Sequence, residues 1–176
     1  MQQEIIIAGF GGQGIQFAGM LIAYAGMLEN KEVSFLPSYG PEMRGGTSNC
    51  HVIISDDPIG SPILNSATTL LVMNRPSLDK FEDYIQPGGL IIMDSSMVNR
   101  TPQRTNVRVY EIPATKIASD MGNIAYANII ILGMLLAKTG VVSKEYIEKA
   151  LKKVLPEKKH HLIPEEMKAL EIGMSN

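Results

Sequence analysis

The stretch that leaves this chain the fewest choices lies at its start. Residues 4–8, Glu4-Ile5-Ile6-Ile7-Ala8, form a short β-branched apolar run that reads as a buried strand. Gly9, Gly11 and Gly14 follow in G-x-G-x-x-G spacing, with Gly12 as an additional glycine. Residues 15–28 then continue without a single charged side chain, long and apolar enough for a buried helix. Strand, side-chain-poor turn and covered helix together specify the opening unit of an α/β sheet. The turn's bare N–H groups are then available to an anion at the helix start.

A dinucleotide fold would also require an acidic residue at the tip of the second strand, to hold a ribose hydroxyl. The second strand is expected at residues 32–36 and runs into Pro37-Ser38-Tyr39 with no carboxylate; Glu29 and Glu32 stand at its wrong end. The turn therefore reads as a nest of N–H donors rather than as an NAD site. That the glycines serve only close helix–strand packing is an equally open reading.

The second unusual cluster is residues 37–50, Pro-Ser-Tyr-Gly-Pro-Glu-Met-Arg-Gly-Gly-Thr-Ser-Asn-Cys. Its prolines and glycines predict a loop of fixed turns, carrying Tyr39, Glu42 and Arg44, with Ser38, Thr47 and Ser48 as hydroxyl donors. Ligands of open α/β sheets bind at the carboxyl ends of strands, so two such segments on one edge suggest a site or an interface.

Beyond it the chain alternates. Strands are expected at residues 49–55, 68–73, 90–94 and 107–112, with Asn74-Arg75-Pro76 ending one strand and Pro87-Gly88-Gly89 preceding the next. Helices are expected at 77–85, 114–121, 124–139 (capped by Asn123, ended by Gly140), 143–155 and 164–172. Asn128, inside the most apolar helix, needs partners from a neighbouring loop or from a subunit interface. His51 has no second ligand at metal spacing and reads as structural or partly exposed. The expected architecture is one Rossmann-like α/β domain over residues 1–176, a mostly parallel sheet flanked by helices with a helical C-terminus.

The chain's 45% hydrophobic and 19% charged residues suit a folded domain with some apolar surface left for another subunit. A net charge of −2 argues against a nucleic-acid partner. One cysteine, Cys50, cannot build an internal disulfide, a zinc site or an iron–sulfur cluster. The most apolar run, residues 124–137, is shorter than the roughly 20 residues a bilayer needs and contains Tyr126 and Asn128. No signal peptide is evident, so a cytoplasmic location with no membrane partner is expected.

Together, residues 9–15 and 37–47, followed by residues 52–55 and Ser61-Pro62, resemble the gamma subunit of 2-oxoacid:ferredoxin oxidoreductases, the pyruvate/ketoisovalerate oxidoreductase catalytic gamma domain. The second loop is most similar to the 2-oxoglutarate and branched-chain ketoacid types. The likeness covers nearly the whole chain and is most specific at residues 11–14 and 39–46. It implies a subunit of a hetero-oligomeric oxidoreductase, inactive alone, with no catalytic residue of its own. The assembled enzyme would convert a 2-oxoacid, 2-oxoglutarate by the loop's wording, and coenzyme A to acyl-CoA and carbon dioxide while reducing ferredoxin.

In that family thiamine diphosphate with Mg2+ lies between alpha and beta subunits, and iron–sulfur clusters sit on beta or delta subunits. This chain is expected to bind none of them by itself. Its partners would be alpha, beta and, in some members, delta subunits, with ferredoxin reached through the complex; self-association of the isolated chain stays open. The candidate residues are Gly11, Gly12, Gln13, Gly14, Tyr39, Glu42, Arg44, Gly45 and Gly46. Turn N–H groups and Arg44 suit the pyrophosphate of coenzyme A or a substrate carboxylate, and Glu42 would pair with Arg44 or with a neighbouring subunit. An interface role, with Tyr39 and Met43 packing on alpha, is compatible. The alternative is a free-standing nucleotide- or dinucleotide-binding module.

Overall fold

The computed structural model describes residues 1–38 and 47–176. Strand β1 (Gln2–Phe10) sits inside a sheet with β2 (Glu32–Ser38), β3 (Thr47–Ser55), β4 (Ala67–Val72), β5 (Ile85–Asp94) and β6 (Arg108–Ile112). The spatial order is β2-β3-β1-β4-β5-β6. The β1–β4, β4–β5 and β5–β6 pairs are parallel, whereas β3 runs antiparallel to both β1 and β2. The mostly parallel sheet expected from the sequence is therefore present, with one antiparallel strand set into it.

The alternation within β1 explains its central place. Ile5 and Ile7 join the larger core on one face, and Ile6 and Ala8 the smaller core on the other. A strand apolar on both faces is stable only inside a sheet covered on both sides. Helices α1 (Ile15–Leu28), α3 (Ala114–Asp120), α4 (Ala127–Thr139), α5 (Lys144–Val154) and α6 (Ile163–Met174) contribute to the larger core. The short α2 (Arg75–Phe81) covers the other face through Leu78 and Phe81.

Several local expectations shift. Strand β4 ends at Val72, just before the expected Asn74-Arg75-Pro76, and Asn74 in addition caps α2, accepting the Ser77 N–H at 2.8 Å, with Pro76 in the first turn. Pro87-Gly88-Gly89 lies within β5, not before it. The β4–β5 register jumps from Ala67–Ile85 to Thr69–Leu90, so a bulge absorbs the proline and the left-handed Gly88. Residues 124–126 form a 3-10 turn before α4, with Asn123 accepting from Ala125 N–H as the sequence suggests. Ser143 precedes α5 but spends its hydroxyl on Glu29 (2.7 Å) rather than on the helix.

Helices α4 and α6 cross backbone to backbone. A methyl group on Gly133 would overlap the Leu170 carbonyl, and one on Gly173 the Ile130 carbonyl. This crossing fixes α4, and α4 in turn fixes one wall of the pocket described next.

Candidate functional site

Because β3 reverses twice, β2 runs in the same direction as β1. The carboxyl ends of β1, β2, β4 and β5 therefore share one edge with the amino end of β3. The glycine turn leaves β1 at that edge. Phe10 pairs with Thr47, and Ser38 with Asn49, so the strand ends flanking residues 39–46 lie there too. Tyr39, Glu42, Arg44, Gly45 and Gly46 fall outside the described residues. Thr47 and Ser48, expected in the loop, belong to β3, and Ser48 is engaged by the Gln16 amide at 3.1 Å.

Gln13 organises the turn. Its side-chain oxygen accepts the Phe10 N–H at 2.6 Å, and its amide nitrogen donates to the Met73 carbonyl at 3.0 Å. The turn is thereby tied to the chain leaving β4, where Met73 N–H also donates to Ala8 at 2.9 Å. Both polar atoms of the Gln13 side chain are spent inside the protein, which makes it a structural member of the site. Gly12 (φ 94°) and Gly14 (φ 76°) occupy the left-handed region that favours glycine. Helix α1 starts after Gly14 with no side-chain cap and no acidic residue in its first turn. The first N–H groups of a helix have no intrahelical acceptor, so they are available at this end.

Opposite the turn stands the start of α4. The Asn128 amide donates to the carbonyls of Gln13 (3.1 Å) and Gly14 (3.4 Å), resolving its partner as a neighbouring loop. Between them opens a pocket of about 400 Å3, floored by residues 10–14 and walled by Met73, Met97, Thr115, Ile124 and Asn128. Thr115 is held by Asp94, a fully buried carboxylate at the end of β5. Asp94 also accepts the Thr115 N–H and the Ser96 N–H, each at 3.0 Å. No charged side chain lines the pocket among the described residues. Its rim is apolar and open: Ile124 is 63% and Met97 38% exposed.

Sequence reasoning identified the turn and singled out Asn128, but missed Asp94, Thr115, Met97 and Ile124 as pocket residues. A carboxylate ending an otherwise apolar strand was the signal for Asp94. Nearby Cys50 is buried beneath α1, and burial pushes its thiol up to about 12, so it offers no nucleophile at neutral pH. His51 is half-buried, with its pKa lowered by desolvation. Among the described residues no three His, Cys, Asp or Glu side chains gather as a metal site, and no helix is long and apolar enough to cross a membrane.

The topology bears on the dinucleotide alternative. A ribose-binding acid belongs on the strand beside β1. Here β3 intervenes, and β2 ends at Ser38.

The family model described as pyruvate ferredoxin/flavodoxin oxidoreductase matches residues 4–176. Among curated proteins, the 2-oxoglutarate synthase subunit KorC of Methanocaldococcus jannaschii is 41% identical over 160 residues, covering 89% of this chain and 85% of its own. The ketoisovalerate oxidoreductase subunit VorA of Methanothermobacter thermautotrophicus is also 41% identical, over 134 residues, 76% of this chain but only 28% of that longer protein. Among solved structures, the gamma subunit of a keto/oxoacid ferredoxin oxidoreductase from Geobacter sulfurreducens superposes with a TM-score of 0.85 at 34% identity. It covers 99% of this chain and 95% of that one.

Proposed function

The chain belongs to the pyruvate ferredoxin/flavodoxin oxidoreductase family, and from that premise we propose that it forms the coenzyme A side of an assembled active site. The complex would be a 2-oxoacid:ferredoxin oxidoreductase acting on 2-oxoglutarate, the substrate in the name of the KorC relative. The observation that carries the reading is the pocket at the glycine turn. The glycine turn, ending at the Gly14 cap of α1, borders it beside apolar walls, and its exposed apolar rim calls for a covering polypeptide.

A pyrophosphate would lie against the turn, and the thiol-bearing arm of coenzyme A against Met73, Met97 and Ile124. At about 400 Å3 the pocket is near the low end of ligand sites, roughly 300–1,000 Å3, so it takes only part of such a ligand. The remaining walls are assigned to alpha and beta subunits. Further polypeptide beside this chain suits the relative VorA, in which the 134 matched residues make up 28% of a longer polypeptide. Countercharge for the anion would come from outside the described pocket. Arg44 is the candidate on this chain by sequence, with Tyr39, Glu42, Gly45 and Gly46 as its loop. Thiamine diphosphate, which would supply the carbanion chemistry of decarboxylation, and the clusters are left to the partners.

The test is reconstitution from co-expressed subunits. Oxoacid- and coenzyme A-dependent reduction of ferredoxin should require this chain and be lost when it is omitted. Arg44→Ala should raise the KM for coenzyme A or for the oxoacid. Full activity without this chain, or tight binding of NAD(P) or flavin by the isolated chain in calorimetry, would overturn the proposal in favour of a free-standing module.

A further inference from the structure

We propose that Asn128 is the positioning residue of this pocket: its side-chain amide holds the glycine turn in the shape that receives an anion. The inference rests on reading the pocket as the coenzyme A wall. The peptide plane supplies the first argument. In a trans peptide the C=O and N–H point in opposite directions. Asn128 Nδ2 holds the Gln13 carbonyl at 3.1 Å across more than a hundred residues of chain, while the Gly14 carbonyl, 3.4 Å from it, is held first by the Ala18 N–H at 2.9 Å, the opening bond of α1. The N–H that shares the Gln13 peptide plane, on the pocket-lining Gly14, is thereby set in direction. It is the cap donor of α1, which no side chain caps. Fixing the Gln13 carbonyl fixes the direction of that donor.

The second argument concerns cost. Asn128 is only 5% exposed, within a helix buried without interruption from Ala127 to Leu136. Its Oδ1 is buried and has no donor among the described residues. An unsatisfied buried acceptor destabilises a fold, and a leucine of similar shape would not carry that penalty. An amide here is therefore explained by what it does to the turn rather than by what it gives to the core.

The third argument is steric. The Asn128 amide occupies the space that a Gly14 side chain would need, and Gly14 has a φ of 76°. Glycine and asparagine are complementary halves of one clamp.

The experiment compares Asn128→Leu with wild type. In the full-length isolated chain, thermal melting and amide exchange of the peptide covering residues 10–17 are measured. In the co-expressed complex, KM values for coenzyme A and the oxoacid are measured. The expected variant melts close to wild type, since relief of the unpaired Oδ1 offsets the donor lost to the Gln13 carbonyl, while its turn exchanges about 10-fold faster. Its KM for coenzyme A rises about 10-fold, and that for the oxoacid stays within about twofold. Asn128→Asp, which sets a carboxylate against two carbonyl oxygens, should speed exchange at the turn and raise the KM for coenzyme A further, and should lower the melting temperature. Asn128→Ala provides the same readouts should leucine not fold. Unchanged exchange at the turn overturns the clamp. Faster exchange with an unchanged KM for coenzyme A upholds the clamp and overturns the coenzyme A reading instead.

Discussion

Replacing Gly133 by alanine opposes two effects of known size. Alanine favours a helix interior over glycine by up to about 1 kcal/mol. Against this, the new methyl group meets the Leu170 carbonyl, a backbone atom of α6, and no side-chain rotation can remove the overlap. Gly173 faces the same crossing from the other side, so α6 cannot slide toward α4 to compensate. The helices must separate, loosening Ile130, Ala169 and Leu170, all fully buried. Overpacking of this kind costs about 1–3 kcal/mol, and the upper end applies where backbone meets backbone. The net expectation is a loss of about 2 kcal/mol, or roughly 4–8 °C in Tm for a chain of this length. Scanning calorimetry of the full-length chain measures it, with Gly60→Ala as the control because nothing lies within 4 Å of a Cβ there. A Gly133→Ala protein melting at or above wild type would refute the reasoning, since helix propensity would then outweigh the crossing.

Gly12→Val meets no neighbour within 4 Å but forces a β-branched residue to a φ of 94°; it should cost about 1–3 kcal/mol in melts and raise the KM for coenzyme A in the complex. Burial pushes the Glu166 carboxyl from 4.5 up to about 7, with Lys159 opposing. The folded state then holds the extra proton between these values, so its contribution is full below about 4.5 and is lost as pH rises through about 7. Glu166→Gln should melt like wild type near pH 4 and above it at pH 8; parallel curves across that range would contradict this. The Cys50 thiol should resist a disulfide reagent at pH 8 in the native protein and react on unfolding, as spectrophotometric titration will show.

Much of this molecule was legible because neighbouring residues settle it. The β-branched run at residues 4–8, the glycines after it and the uncharged segment 15–28 dictate strand, turn and helix through local propensity and period. Asn123 and Gly140 mark helix ends because their side chain, or its absence, satisfies backbone groups a few positions away. Where the reading slipped, the rule was still local but had two outcomes. A Pro-Gly-Gly run can precede a strand or bulge within it, and only pairing with β4 chose the bulge. An Asn-Arg-Pro run that ends a strand can also open the next helix, and only the bond from the Ser77 N–H shows that Asn74 does both.

The sequence by itself determined the glycine turn, its helix and the class of fold, because those follow from contacts within one or two turns of chain. The tertiary structure alone decided that β3 lies between β1 and β2 and that Gln13 is consumed by the end of β4. It also decided that Asp94 holds Thr115 and that Asn128 meets Gly14 across the domain. Each of these depends on bringing distant segments to within a hydrogen bond of one another. That is a matter of how strands pair and helices cross, which no local period encodes.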